Sequence, residues 1–258
     1  MTPLSPGELS PRNLEIRATF DAIAPRYDLT NRVLSCGVDV YWRRAAIRTF
    51  RDLPRGGSVL DLACGTCDLT LEMMRRRPDA RVVGVDLSRA MLVRAAGKLG
   101  AGSGRAPGAA AGLVNAPAEA LPFADGRFDG AMIGFGIRNV PDFRAGLREM
   151  RRVLRPGGRI VVLEFSTPPS RSLWRLYNWY FYNVLPRVGG LLTGQERAYR
   201  YLTDTVSEFP DAATFAAVME ECGFASVSWR ALTGGIVCVH TGVRGAGEAR
   251  GREETTHG

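Results

Sequence analysis

Two aspartates stand at positions typical of a nucleotide-binding protein. Asp61 lies in S-V-L-D-L-A-C-G-T-C-D (residues 58–68), and Asp86 ends a second apolar run in V-V-G-V-D-L-S. An aliphatic run that ends in an acid and a small-residue turn is typical of the first strand of a nucleotide-binding βαβ unit. An ordinary strand-to-helix turn is the alternative, but the position of the second acid favours the nucleotide interpretation.

The turn and the second acid would hold different parts of such a ligand. Small residues in the turn let the backbone approach the ligand, and the following helix offers free N–H groups at its N-terminus. A carboxylate at the end of the second strand can accept hydrogen bonds from ribose hydroxyls. These features leave the ligand open, and it need not be a dinucleotide.

Length and charge bound the organisation of the chain only broadly. Its 258 residues suffice for one large α/β domain with appendages or for two small domains. A formal net charge of +8 would suggest nucleic acid or an anionic membrane as partner. However, Lys98 is the only lysine of the sequence, and this bias toward arginine indicates genome composition. We therefore expect a solvated basic surface and no nucleic-acid partner.

Cysteine usage and hydropathy predict a cytoplasmic protein. The five cysteines are odd in number and scattered, and no signal-peptide pattern opens the chain. No apolar run approaches the roughly 18 residues that a membrane-spanning helix needs. Any membrane contact is therefore expected to be peripheral, on the inner face of the membrane. Neither His240 nor His257 has ligand spacing to a cysteine pair, so no metal site is expected.

The periodicity of apolar residues predicts a single domain over residues 13–243. Residues 1–12 and 244–258 have few core-forming residues and are expected to be disordered. Residues 13–52 predict a helical cap that is broken near Pro25 and Gly37. A small-residue loop is expected over residues 100–108.

Strands that alternate with helices predict a parallel sheet covered on both faces. The predicted strands are 58–62, 81–85, 111–114, 128–133 and 159–164, and the predicted helices between them are 69–77, 89–99 and 143–154. Towards the C-terminus, residues 215–222 predict a further helix. The stretches V-S-W-R-A-L and I-V-C-V-H-T, joined by T-G-G, then predict a β-hairpin that closes the sheet.

An aromatic-rich segment, residues 168–210, interrupts this pattern. Residues 172–188 predict one helix that is apolar on nearly all sides, with six aromatic residues between Trp174 and Tyr182. Such a helix is either buried in the core or serves as a lid or surface for a greasy substrate.

Five stretches in order along the chain carry a resemblance to a known family. The two longest are Y-D-L-T-N-R-V-L-S (27–35), followed by Trp42, and R-V-L-R-P-G-G-R-I-V-V-L-E-F-S (152–166). Shorter stretches are F-G-I-R-N-V (135–140), Y-R-Y-L (199–202) and L-T-G-G-I-V (232–237). Over residues 19–242 the chain resembles the ubiquinone/menaquinone biosynthesis C-methyltransferases, a family of class I S-adenosylmethionine-dependent methyltransferases. The resemblance implies a Rossmann-like α/β fold with a seven-stranded, mostly parallel sheet, helices on both faces and a terminal antiparallel hairpin.

The resemblance also implies a binding site for S-adenosyl-L-methionine. Asp86 would bind the ribose hydroxyls, and the turn after Asp61 would approach the methionine end. The implied cofactor-binding residues are Asp61, Ala63, Gly65, Thr66, Asp86, Leu87, Asn115, Pro117, Ala118 and Gly134.

Four positions depart from the family pattern, two of them among these cofactor-binding residues. Pro117 replaces an acid expected to accept from the adenine amino group, and Asn115 is a candidate to compensate for it. Gly134 replaces a serine, and Asp39 replaces a histidine. Cys67 replaces a glycine, and a positive φ at this residue would cost about 1 kcal/mol.

The implied reaction is the conversion of demethylmenaquinol to menaquinol. The electron-rich prenylated naphthoquinol is itself the nucleophile, so the protein mainly aligns the reactants and helps a phenolic proton to leave. Within the family-specific stretches, the expected residues for these roles are Tyr27, Asp28, Arg138, Asn139 and Tyr201. The alternative for each is a capping or structural role.

Other functions remain open on sequence alone. The acceptor could be a ubiquinone precursor. Cys64-Gly65-Thr66-Cys67 is a C-x-x-C motif that a dithiol redox protein would use. Cys67 and Pro117 are also consistent with a protein that binds the cofactor but has lost activity. Methylation of a nucleic-acid base is disfavoured because no N/D-P-P-Y-type motif is present. The sequence leaves the oligomeric state open.

Overall fold

The computed structural model describes residues 9–101 and 111–245. Most of the predicted loop at residues 100–108, residues 1–8 of the predicted disordered N-terminus and the tail from residue 246 lie outside the described residues. Helix α1 begins at Pro11, inside the segment expected to be disordered, because the Ser10 hydroxyl caps it by accepting from the Asn13 N–H at 3.1 Å.

Seven strands form one mixed sheet in the order β3-β2-β1-β4-β5-β7-β6. The strands are β1 Ser58–Leu62, β2 Arg81–Asp86, β3 Ala111–Asn115, β4 Phe128–Gly134, β5 Leu154–Phe165, β6 Phe224–Leu232 and β7 Val237–Arg244. The strands β1 to β5 pair parallel with one another, whereas β7 is antiparallel to both β5 and β6. The predicted seven-stranded sheet with a terminal hairpin is confirmed.

Ten α-helices are present in the described residues. They are α1 Pro11–Ile23, α2 Tyr27–Leu34, α3 Val38–Ile47, α4 Asp68–Arg76, α5 Arg89–Ala101, α6 Phe143–Val153, α7 Arg171–Asn183, α8 Leu185–Thr193, α9 Glu196–Glu208 and α10 Ala212–Glu221. None of them is long and apolar enough to cross a membrane.

Alternation along the strands produces a core on each face of the sheet. Leu60 packs in one core with Leu147 of α6 and Phe215 of α10. Its neighbour Val59 points to the other face and packs with Trp42 of α3 and Met73 of α4. The expectation of helices on both faces is therefore confirmed.

The aromatic segment forms a third cluster above the sheet, and two predictions about its surroundings are wrong. The helix expected over residues 172–188 is divided between α7 and α8, because Pro186 lies in the first turn of α8, where a proline is tolerated but cannot continue α7. Strand β5 begins at Leu154 rather than Arg159 and contains the R-P-G-G stretch. Four buried residues of α7, α8 and α9 pack in this cluster against Ile23, Ala24 and Met91; they are Tyr177, Phe181, Leu185 and Val206.

Candidate active site

The carboxyl ends of β1, β2 and β4 meet at one edge of the sheet, where the strand order reverses between β1 and β4. Ligands of open α/β sheets bind at this position. Two cavities adjoin here and share Tyr27, Ala63, Gly134 and Phe135 in their linings. The larger has a volume of about 340 Å³ and the smaller about 80 Å³.

Three residues of the turn after β1 have left-handed backbone conformations. They are Ala63 (φ 48°), Gly65 (φ 54°) and Cys67 (φ 67°). The positive φ that would carry a cost at Cys67 is present, but its side chain lines neither cavity and is buried with Leu92 and Ala95 of α5. The ligand side of the turn is Gly65, whose N–H faces Asp86.

Asp86 lies beside the smaller cavity with each carboxylate oxygen accepting one backbone hydrogen bond. The Gly65 N–H donates to Oδ2 at 2.7 Å, and the Ser88 N–H donates to Oδ1 at 2.8 Å. Burial raises the pKa of Asp86 to about 6. Each oxygen keeps acceptor capacity, so the carboxylate can still accept from the two hydroxyls of a ribose.

Asp61 faces the larger cavity and is almost completely buried. The Thr70 hydroxyl of α4 donates to its Oδ2 at 2.5 Å. Burial raises the pKa of Asp61 to about 7. The acid therefore joins β1 to α4 at the base of the cavity.

Thr66 and Asp28 belong to a network centred on Lys98. The Thr66 hydroxyl donates to Asp28 Oδ1 at 2.5 Å, and Lys98 Nζ lies 2.8 Å from Asp28 Oδ2 and 2.5 Å from Asp68 Oδ1. Burial acts to raise the pKa of Asp68, but the neighbouring cations Arg43 and Lys98 outweigh burial and hold this pKa below its usual value. Thr66 lines the larger cavity, whereas Asp28 lines neither, so Asp28 positions the turn through Thr66.

The predicted cofactor-binding residues between β2 and β4 divide into two groups. Leu87 and Ala118 line the smaller cavity, whereas Asn115 and Pro117 line neither. Asn115 Nδ2 donates to the Asp86 and Leu87 carbonyls at 2.8 and 2.9 Å, so this side chain supports the loop after β2. Sequence reasoning missed Glu119, whose Oε2 is buried without a partner and whose side chain lines the smaller cavity.

Gly134 and Gly136 form a close-packed cradle between the cavities and the sheet. A Cβ on Gly134 would lie 3.2 Å from Leu69 Cδ2, and one on Gly136 would lie 2.6 Å from Ala63 Cβ. The serine expected at residue 134 would therefore crowd Leu69. At Gly136 the backbone approaches the turn too closely for any other residue.

The F-G-I-R-N-V stretch places Arg138 and Asn139 at different cavities. Arg138 lines the larger cavity and pairs with Glu164, a residue that sequence reasoning passed over although it lies in the second family stretch. Asn139 lines the smaller cavity, and both polar atoms of its buried side chain lack a partner. Tyr27 lines both cavities, and burial raises the pKa of its hydroxyl.

Tyr201, a predicted catalytic residue, and Asp39, which departs from the family pattern, lie at different places. Tyr201 lines neither cavity, and its ring packs against the Arg12 guanidinium of α1 at 5.3 Å. Asp39 lines the larger cavity, where it accepts a 2.7 Å hydrogen bond from Ser35 and pairs with Arg43.

The C-x-x-C motif has properties opposite to those of a dithiol redox site. Cys64 and Cys67 are both free and buried. A hydrogen bond with Cys67, together with burial, raises the pKa of the Cys64 thiol well above its usual value. Reactive thiols need a lowered pKa and access to solvent, so this geometry disfavours the redox interpretation.

The polar groups that line the smaller cavity match those that would bind the adenosyl part of S-adenosylmethionine. Asp86 provides acceptors for ribose hydroxyls, and Asn139 and Glu119 present buried polar atoms that lack a protein partner. Buried polar groups are usually satisfied, so these atoms indicate a polar ligand in the cavity.

Comparison with known proteins places the chain among methyltransferases. A sequence model of the ubiE/COQ5 methyltransferase family matches residues 10–244. The ubiquinone/menaquinone biosynthesis C-methyltransferase UbiE of Geobacter sulfurreducens is 48% identical over 241 residues, 92% of this chain and 91% of that protein. The demethylmenaquinone methyltransferase of Thermus thermophilus is 46% identical over 226 residues, 87% of this chain and 99% of that protein.

A solved structure supports the fold independently. An S-adenosylmethionine-dependent methyltransferase from Thermotoga maritima superposes with a TM-score of 0.60 at 18% identity, covering 89% of this chain and 99% of that chain. At this identity the likeness concerns the fold alone, whereas the sequence relatives extend over nearly the whole chain. The chain therefore belongs to the ubiE/COQ5 methyltransferase family and uses S-adenosylmethionine as its cofactor.

Proposed function

We propose that this enzyme methylates a ring carbon of demethylmenaquinol to form menaquinol. The larger cavity carries the proposal, because its volume of about 340 Å³ adjoins the cofactor side and aromatic residues form much of its lining. Binding sites of small molecules have volumes of about 300–1,000 Å³ and are mostly apolar. The similarity to a relative named demethylmenaquinone methyltransferase supports the same substrate class.

The cavity lining suits a flat aromatic diol. Phe135, Phe165 and Phe181 lie on its walls, with ring centroids 4.8 Å apart for Phe135 and Phe165 and 5.6 Å apart for Phe165 and Phe181. Tilted and edge-to-face aromatic contacts of this kind hold planar rings in defined orientations. Arg138 supplies a cation at the same wall, which favours ionisation of a quinol hydroxyl.

The residues of the chain then have separate tasks. Bound S-adenosylmethionine supplies an electrophilic methyl group on its sulfonium sulfur. Asp86 orients the ribose, and Tyr27 lies where the two cavities meet. An ionised quinol is nucleophilic at its ring carbon, so the protein need only align the reactants and exclude water. The ring carbon gains the methyl group as the bond between sulfur and methyl breaks, and the proton of that carbon then moves to the quinol oxygen that had been ionised. No covalent bond to the enzyme is required.

The prenyl tail of the substrate gives a function to the exposed apolar residues of α7 and α8. Leu176 and Trp179 of α7 and Leu191 of α8 are 62%, 58% and 86% exposed. Arg175 of α7 and Arg187 of α8 are also exposed. We propose that these five residues, the lid face, contact the surface of an anionic membrane, where the apolar side chains enter the interface and the arginines attract lipid headgroups.

The proposed substrate is tested with purified protein, S-adenosylmethionine and a short-chain demethylmenaquinol under reducing conditions. Mass spectrometry should detect a product that has gained one methyl group, and the oxidised quinone should not react. A benzoquinol precursor of ubiquinone forms the second arm. Methylation of the benzoquinol alone would contradict the proposal, and so would the absence of methylation of either quinol.

A further inference from the structure

Tyr177 of α7 carries a buried hydroxyl without a partner at the wall of the larger cavity. Its side chain is 6% exposed, and no group of the residues that the structure describes lies within hydrogen-bond distance of Oη. The neighbouring Tyr180 lines the same cavity but donates its hydroxyl to the Leu34 carbonyl at 2.8 Å. The two tyrosines of one helix therefore differ in whether the protein satisfies their hydroxyl groups.

An unsatisfied buried hydroxyl costs free energy that a phenylalanine at the same position would avoid. Packing does not require the hydroxyl, since the ring of Tyr177 contacts Phe181 at a centroid distance of 4.4 Å and stacks on Trp174 at 5.9 Å. The hydroxyl is therefore useful only if the cavity contains a group that it can bind.

A second unpartnered donor lies at the same cavity. Arg138 Nε is buried and has no hydrogen-bond partner within residues 9–101 and 111–245, although Nη1 of the same guanidinium donates to Glu164 and to the Phe135 carbonyl. Burial raises the pKa of Tyr177, so its phenol stays neutral and remains a donor. One N–H donor and one O–H donor in an aromatic cavity complement an oxygen acceptor attached to a flat ring.

We propose that Tyr177 is a catalytic residue whose hydroxyl donates a hydrogen bond to a quinol oxygen of the substrate. This inference rests on the proposed function. The hydrogen bond stabilises the ionised quinol, and the phenol of Tyr177 keeps its own proton throughout. The ionised quinol oxygen supplies electron density to the ring as the new bond between ring carbon and methyl forms. The bond between sulfur and methyl breaks with its electron pair left on sulfur, and the proton of the methylated carbon returns to the quinol oxygen.

The test compares Tyr177→Phe with Tyr180→Phe and with Tyr182→Phe, whose parent residue is exposed and lines neither cavity. Tyr177→Phe should keep or raise the denaturation midpoint and leave binding of S-adenosylhomocysteine unchanged. Its kcat/KM for the quinol should fall about tenfold, as for one lost hydrogen bond. The limb of its pH profile that reports quinol ionisation should move to higher pH.

The controls separate a chemical role from a structural one. Tyr180→Phe should lower the denaturation midpoint, because it removes a satisfied hydrogen bond, and Tyr182→Phe should resemble the parent protein. Wild-type kcat/KM and an unshifted pH limb in Tyr177→Phe would overturn the inference. Weaker binding of S-adenosylhomocysteine in this variant would also overturn it, because the residue would then act on the cofactor site.

A binding cycle keeps the test independent of turnover. Tyr177→Phe should weaken binding of menadiol about tenfold but leave binding of methylnaphthalene, which lacks the oxygens, unchanged. If Tyr177→Phe and the parent enzyme bind menadiol with equal affinity, the proposed role of Tyr177 is wrong, even if the parent enzyme methylates another acceptor. If the parent enzyme does not methylate demethylmenaquinol but still binds menadiol more tightly than Tyr177→Phe does, the proposed function is wrong and the hydrogen bond from Tyr177 to a quinol oxygen is retained.

Discussion

Arg138 Nη1 lies 2.7 Å from Glu164 Oε1 in a pair whose side chains are 5% and 1% exposed. The Phe135 carbonyl accepts from the same nitrogen at 2.7 Å, and the Phe165 N–H donates to the Glu164 carboxylate at 2.9 Å. Burial raises the pKa of Glu164 despite the neighbouring guanidinium. The pair connects the end of β5 to the F-G-I-R-N-V stretch and fixes Arg138 at the larger cavity.

Glu164→Gln should destabilise the fold by about 3 kcal/mol, because the variant leaves the Arg138 cation buried without its counter-ion. Chemical denaturation measures this change in the free energy of unfolding. The matched control is Glu221→Gln, which breaks an exposed pair with Arg144 and should cost less than about 1 kcal/mol. Equal losses in the two variants would contradict the importance of the buried pair.

Asp86 predicts a pH-dependent affinity for S-adenosylhomocysteine. Burial raises its pKa to about 6, and hydroxyl donors of a bound ribose would favour the ionised form and lower this pKa. Binding should then release a proton below about pH 6, so affinity should rise from about pH 5 to pH 7 and level off above. Calorimetric titration across this range measures the trend.

Asp86→Asn is the control for this titration. The variant should bind S-adenosylhomocysteine more weakly and should lose most of the dependence on pH between about pH 5 and pH 7. A variant with the same pH dependence as the parent protein would assign the titration to another group, of which Asp61 is the nearest alternative because its pKa is raised to about 7.

Lys98→Met should weaken cofactor binding through the turn after β1. The ammonium lies 2.5 Å from Asp68 and 2.8 Å from Asp28, which in turn holds the Thr66 hydroxyl. Loss of the cation leaves two carboxylates close to each other, so we expect three- to tenfold weaker binding of S-adenosylhomocysteine, on the order of one hydrogen bond. Calorimetry on Arg94→Met, an exposed position on α5, provides the control. Identical affinities in both variants would exclude this role of Lys98.

Cys67 predicts different outcomes for glycine and valine. At φ 67° a glycine relieves about 1 kcal/mol of backbone strain but loses the buried contacts with Leu92 and Ala95. The unfolding free energy of Cys67→Gly should therefore stay within about 1 kcal/mol of the parent, whereas Cys67→Val should lose about 2 kcal/mol because a branched residue disfavours positive φ. Equal stability of the valine and glycine variants would contradict this account.

Local patterns predicted the fold well because each element has its own signal. β1 is found with the predicted bounds, Ser58–Leu62, since a continuous apolar run ends at the small-residue turn. The division between α7 and α8 was missed because the aromatic periodicity continues across it, although Pro186 was the available signal.

The site was less predictable because partners distant in sequence decide the role of each polar residue. Asp28 lies in a family-specific stretch, yet its carboxylate binds Thr66 and Lys98 rather than facing a cavity. Asn115 was expected near adenine but supports two backbone carbonyls. Glu164 and Tyr177 became candidates only when burial and missing hydrogen-bond partners could be observed.

The lid face predicts that membrane binding depends on Trp179. This side chain is 58% exposed on α7, and the Tyr180 hydroxyl on the next residue anchors the helix to Leu34 at the larger cavity. Trp179→Glu removes an interfacial aromatic residue and adds a charge that anionic lipids repel. Co-sedimentation with phosphatidylglycerol vesicles should therefore fall several-fold, while kcat for a short-chain, water-soluble quinol should remain unchanged. The control is Trp229→Glu, which changes a tryptophan of β6 that is 47% exposed and should leave vesicle binding intact. If both variants bind vesicles as the parent does, the lid face is not the membrane contact; if both lose binding equally, general charge repulsion explains the loss.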